Sequence, residues 1–167
     1  MTISYQRILV PLDGSELAAL ALPHAETIAT LAGARLILIQ VVPDAATMAV
    51  EATLPSTGVG MPTMDPYLAA SQFESVEEEL TKSAETTLAE AAAPLLAKSL
   101  PVETVVLKGT PADSIIAYAA ENNVDLIVMS THGRTGLRRL VFGSVAERVL
   151  HNATCPILLV RVTAKER

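Results

Sequence analysis

Two short stretches and one charge cluster hold the residues able to act on a ligand. The first stretch is Ser130-Thr131-His132-Gly133, then Arg134, and, after nine residues counted from Gly133, Gly143-Ser144. Small residues let backbone N–H groups approach a ligand closely, and hydroxyls donate hydrogen bonds. A helix N-terminus adds about half a positive charge. That combination suits an anion such as a phosphate group. The second stretch is Asp13-Gly14-Ser15-Glu16, which follows an apolar run from Arg7 to Leu12. The cluster is Arg134, Arg138 and Arg139. It serves one small anionic ligand, or Arg138 and Arg139 are a solvated helix face.

Other chemistries lack their residues. No G-x-x-x-x-G-K-[ST] is present, so there is no P-loop, and Asp13-Gly14-Ser15 is not the glycine fingerprint of a dinucleotide site. Neither H-E-x-x-H nor a cysteine pair offers metal-ligand spacing, and no G-x-S-x-G elbow occurs. His24, His132 and His151 are scattered, and only His132 falls in the glycine loop. Cys155, the single cysteine, adjoins the last apolar run and reads as a small core residue. One cysteine allows no internal disulfide, which fits a reducing compartment.

The totals bound the class. At 167 residues the chain suits one domain, residues 1–167, with a real core. Half the residues are hydrophobic and 18% are charged, which argues against disorder. Aromatics are only 3%, so the core is built of Ala, Leu, Val and Ile. A net charge of -6 leaves no broad basic field for nucleic acid. The start, MTISYQRILVPLD, enters a strand at once and has no signal-peptide pattern. No apolar run approaches the ~20 residues that span a bilayer. The expectation is a cytoplasmic protein, with no membrane partner.

Alternating elements position the candidate residues. Strands are expected at Arg7–Leu12, Ala34–Val42, Pro101–Lys108, Val124–Met129 and Pro156–Val162. Pro11 should sit at the end of its strand, since it cannot donate to a ladder. A helix is expected over Leu17–Leu31, opened by Asp13 with Glu16 as a capping box and closed by Gly33. Residues 43–65 hold three prolines and no clear period, and read as a long loop. A helical pattern from Asp65-Pro66 to about Ser99 contains Pro94, which should kink or interrupt it. Glu77, Glu78 and Glu79 read as a solvated face. Further helices follow Thr110 and Gly143, with Ser144-x-x-Glu147 as a second capping box. The order βαβαβαβαβ implies an α/β fold with an open five-stranded parallel sheet, doubly wound with helices on both faces. Ligands in such folds bind beyond the carboxyl ends of the strands.

With these residues in place, the chain resembles the universal stress protein family (UspA-like), nucleotide-binding branch, over essentially its whole length. The marks are RILVPLDGSE, the Gly109-Thr110-Pro111-Ala112 turn, and THGRTGLRRLVFGSVAERVLHNATCPILLVR. The family pattern G-x-x-G, nine residues, G-[ST] is met at Gly133, Gly143 and Ser144; Ser130 replaces the first glycine. The resemblance implies an adenine nucleotide alpha hydrolase-like sheet of strand order 3-2-1-4-5. It implies ATP, with Mg or Mn, as the bound cofactor. Adenine would lie against Pro11, Leu12, Val41 and Val42, and Asp13 would meet the ribose or orient the site. Met129 and Ser130 would flank the ribose. Gly133, Arg134, Gly143, Ser144 and Val145 would line the phosphates; His132, in the same loop, is a ligand-contact candidate on its position alone. It also implies a homodimer through Pro156–Val162 and an unknown protein partner.

No general base, nucleophile or metal ligand is evident near the phosphates. The expected function is therefore an ATP-binding stress or signalling switch with little or no hydrolysis, not an enzyme. The rival of another class is a non-nucleotide dimeric interaction module of the same family, which Ser130 favours. An adenylate-chemistry enzyme would carry an S-G-G-x-D-S type loop where this chain has Asp13-Gly14-Ser15-Glu16.

Overall fold

β1 (Arg7–Leu12) runs through the middle of a parallel sheet, and its residues explain why it can. Ile8, Leu9 and Val10 are fully buried, so both faces of the strand are covered. The structure, a computed structural model, describes residues 4–48, 66–131 and 143–161, and of 66–71 only the backbone. The elements after β1 are α1 (Glu16–Ala19), α2 (Leu22–Ala32), β2 (Arg35–Val42) and α3 (Pro66–Ala97). Then come β3 (Val102–Lys108), α4 (Pro111–Glu121), β4 (Leu126–Ser130), α5 (Ser144–Asn152) and β5 (Ile157–Val160). The five strands lie in the order β3-β2-β1-β4-β5, all parallel, as the alternation and the family resemblance led us to expect.

Period-two side-chain alternation divides the core into two layers. Ile8, Val10, Leu12, Leu36, Leu38 and Val128 face α1, α2 and α3, whose Ala18, Ala25, Ala29, Leu88, Ala92 and Leu95 cover them. The alanines of α2 let that helix lie close to the sheet. Leu9, Ile37, Ile39, Ile127 and Met129 face α4 and α5, whose Ala112, Ile115, Ala119, Ala146 and Val149 cover them. Cys155 packs against this second layer, and burial raises its thiol pKa, as a packing residue requires.

Local details depart from the sequence reading in four places. The expected single helix after β1 is two, α1 and α2, because Pro23 at the start of α2 lacks an N–H for the preceding turn. The cap of α1 is Ser15, whose Oγ accepts the Ala18 N–H at 3.1 Å; Asp13 instead accepts from Ser15. A helical turn at 45–48 falls inside the stretch read as loop; residues 49–65 lie outside the described residues. α3 is continuous through Pro94, which is exposed, so water can reach the carbonyl its ring frees. Gly33 closes α2 with φ 65°, the left-handed cap expected of it.

The most consequential detail is where β1 stops pairing with β4. The Gln6 carbonyl accepts the Arg35 N–H on the β2 side, and the Arg7 carbonyl accepts the Asp125 N–H on the β4 side. By this alternation Leu9 and Pro11 also turn toward β4. Pro11 has no N–H to give. β1 pairs with β2 along all of Arg7–Leu12 but with β4 only at Ile8↔Leu126 and Leu9↔Ile127. The two strands part beyond that point, and a crevice opens between them. Pro11 is not a passive strand end; its missing donor is where the ladder gives way.

Candidate functional site

The crevice is the mouth of a cavity of about 340 Å³ at the carboxyl end of the sheet. That volume lies at the lower end of the ~300–1,000 Å³ usual for small-molecule sites. Ile39 and Val41 of β2 and Met129 of β4 form its strand wall, and Pro111 and Ile115 of α4 lie across from them. Pro11, Leu12 and Ala18 close it on the α1 side. Ser130, Thr131 and the first turn of α5, Gly143 to Ala146, complete it. Most of the lining is apolar, with Asp13, Ser130, Thr131 and Ser144 supplying the polar side chains.

The two polar ends differ in charge. Asp13 is exposed at the rim, and its Oδ1 accepts both the Ser15 N–H (2.9 Å) and the Ser15 hydroxyl (2.6 Å). This Asx turn fixes the carboxylate at the end of β1. At the other end, α5 begins at the N-cap Gly143 with no side-chain cap. The expected Ser144–Glu147 capping box is therefore absent: Ser144 is already the first helical residue. Glu147 N–H makes the first helical bond, to the Gly143 carbonyl at 2.9 Å. The N–H groups of Ser144, Val145 and Ala146 have no acceptor within the helix and stand at the positive end of its dipole. Thr131 ties this turn to the sheet. Its N–H donates to the Val160 carbonyl and its carbonyl accepts from Gly143 N–H, both at 3.0 Å.

Nine of the residues expected at the site line this one cavity: Pro11, Leu12, Asp13, Val41, Met129, Ser130, Gly143, Ser144 and Val145. Val42 does not line it. Ile39 and Val41 face the cavity, so the strand's alternation turns Val42, the next residue, to the opposite face, where it is buried. His132, Gly133 and Arg134 lie outside the described residues. Sequence reasoning missed Ala18, Ile39, Pro111, Ile115 and Ala146; Thr131 lay in the stretch it singled out, without a contact assigned to it. Ile39 was available from the two-residue period that selects Val41. Ser130 ends β4 in strand conformation, paired with Val160, so this position needs no left-handed backbone and a serine sits there without that strain. Gly143, at φ -54°, ψ 148°, is likewise in a conformation open to any residue.

The five-stranded parallel fold that builds this site is shared with known proteins. Residues 4–161 match the model of the universal stress protein family. The chain belongs to the universal stress protein family. A universal stress protein of Methanocaldococcus jannaschii is 35% identical over 162 residues, covering 97% of this chain and 85% of that one. The solved structure of the hypothetical protein MJ0577, from the same organism, superposes with a TM-score of 0.77 at 27% identity, over 96% of this chain and 99% of that one. A universal stress protein of Archaeoglobus fulgidus, solved in complex with dAMP, shares the fold at 21% identity, with a TM-score of 0.58 over 95% of this chain and 98% of that one. Among the described residues of this universal stress protein, no helix is long and apolar enough to cross a membrane.

Proposed function

We propose that this protein binds ATP in the cavity between β1 and β4 and acts as a nucleotide-dependent switch in stress or signalling. The single observation that carries the reading is the cavity's polarity. An apolar slot walled by Ile39, Val41, Met129 and Ile115 ends at the uncapped first turn of α5. The slot suits a purine, and the first-turn N–H groups of a helix suit a phosphate. Asp13 offers its second carboxylate oxygen at the rim, where a ribose hydroxyl can donate. A relative of the same fold holding dAMP supports an adenine nucleotide as the ligand class.

The reading contains no hydrolysis step. The titratable side chain among the described lining residues is Asp13, whose Oδ1 is engaged by Ser15. Mg or Mn would enter on the phosphate oxygens and neutralise their charge. The same reading includes a cytoplasmic homodimer through β5. That strand lies at the sheet edge, and Ile157, Leu158, Leu159 and Val160 are each partly exposed. An apolar edge of this kind is a template for a second strand.

The test is nucleotide content. The purified protein is denatured and the released small molecules identified; the stripped protein is then titrated with ATP and Mg²⁺. ATP release, or micromolar binding abolished by Gly133→Val, is the expected result. No nucleotide and no binding at millimolar ATP would overturn the reading in favour of the interaction module. Sedimentation of the wild type and of Leu158→Lys tests the dimer.

A further inference from the structure

We infer that Glu77, which does not line the cavity, is a positioning residue that clamps two of its walls together from outside. The inference rests on the nucleotide reading of the site. Glu77 lies on α3 with its side chain only 17% exposed. One carboxylate oxygen pairs with the Lys108 ammonium, and the other accepts the Ala45 N–H at 2.6 Å. These two partners belong to different walls. Lys108 ends β3 and leads through Gly109-Thr110 into Pro111, a lining residue of α4. Ala45 opens the helical turn that follows β2, four residues past the lining residue Val41.

The β2–β3 ladder joins the two walls as far as Val42↔Lys108, and just past it the Gly109 N–H donates to the Val42 carbonyl at 2.9 Å. Glu77 closes a second link outside it, so the β2 exit and the β3–α4 turn cannot separate without breaking a charge-assisted bond. Asp44, whose Oδ1 accepts the Thr47 N–H at 2.5 Å, faces the same cluster and fixes the turn that presents Ala45. A surface ion pair alone would not do this. The bond to a backbone N–H is what ties the carboxylate to the path of the chain.

The walls held this way are the base side of the cavity, away from α5. Loss of the clamp therefore weakens ATP and adenosine by the same factor. Three variants separate the two links: Glu77→Ala removes both, Glu77→Gln keeps an acceptor for Ala45, and Ala45→Pro removes only the backbone donor. Proline is tolerated at the first position of a helical turn, so the last variant leaves the turn intact.

Calorimetric titrations with ATP and with adenosine are run beside hydrogen exchange at the Ala45 and Gly109 amides and a far-ultraviolet circular dichroism control. We expect roughly tenfold weaker binding of both ligands in Glu77→Ala and in Ala45→Pro, with faster exchange at Gly109. Glu77→Gln, which keeps the Ala45 bond and loses the charge pair with Lys108, should fall between wild type and Glu77→Ala. A folded Glu77→Ala with wild-type affinities and wild-type exchange overturns the proposal. So does a loss confined to ATP, which would place the effect on the phosphates. If the wild type binds neither ligand, the nucleotide reading falls, and the ligand half of this inference with it. Exchange at Gly109 still decides whether the clamp exists.

Discussion

Two isoleucines of β2 provide a sharp test of whether the cavity is a ligand site or merely loose packing. Ile37 and Ile39 are both fully buried and point into the same layer, but only Ile39 lines the cavity. Truncation of either to alanine removes three carbons, about 2.4 kcal/mol at ~0.8 kcal/mol each. Ile37→Ala also leaves a sealed void, which moves its cost further into the ~2–5 kcal/mol range for such changes. Ile39→Ala loses less on that account, because the vacated volume joins a space already present. At ~2–4 °C per kcal/mol for a chain of this size, Ile39→Ala should melt about 5–10 °C below wild type, and Ile37→Ala lower still. Binding should run the other way. Ile39→Ala removes about 1 kcal/mol of ligand contact, roughly fivefold in Kd, whereas Ile37→Ala leaves Kd unchanged. Calorimetric melting with ATP titration reads both quantities. Equal weakening of ATP by the two variants, or a lower melting point for Ile39→Ala, would refute the placement of the cavity wall.

Three further outcomes follow from particular residues. Gly109 has φ +124°, and an added Cβ would meet Ser114 Oγ at 3.2 Å, whereas Gly33 at φ +65° meets nothing within 4 Å; Gly109→Ala should cost about 1–3 kcal/mol by melting and Gly33→Ala about 1 kcal/mol, with Ser114→Ala relieving part of the former only. Asp44 is held below its usual carboxylate pKa by hydrogen bonds from Thr47, and Glu77 by Lys108 and then the Ala45 N–H. Both are more acidic folded than unfolded, so their stabilisation is present above the unfolded pKa and is lost as pH falls through the folded one. Melting temperature should therefore drop below about pH 4, and less steeply in Lys108→Met. Pro11→Ala restores a donor facing β4, and should weaken ATP binding while leaving or raising the melting temperature; unchanged binding would show that the crevice does not depend on the missing N–H.

The buried strands were the most legible part of the chain. RILVPL, the run through Val42 and the run before Ser130 are apolar on both faces, a pattern that long-range packing reinforces instead of opposing. Caps were less legible. Asp13, Ser15 and Ser144 are all good cap residues, and the choice among them depends on where the preceding strand releases the chain. Pro23 carried the signal for the break between α1 and α2, but an Ala-rich amphipathic stretch masked it. At the site, motif spacing picked out Asp13, Ser130, Gly143 and Ser144, and strand period should have chosen Ile39 over Val42. Pro111 and Ile115 were out of reach, because which helix crosses a given face is fixed by topology and not by any local pattern.

The two neighbours of β1 also arrive at very different times. β2 begins 23 residues after β1 ends, from residue 12 to residue 35, while β4 begins 114 residues after it, at residue 126. At about 5–20 residues per second of synthesis, the β4-facing edge of β1 stays open for roughly 6–23 s on the ribosome. An open, apolar strand edge recruits other nascent chains. Pro11 sits on that edge with no hydrogen to offer. The residue that parts the mature sheet thus also blunts the edge of β1 that waits longer for its partner, while β4 is still unmade.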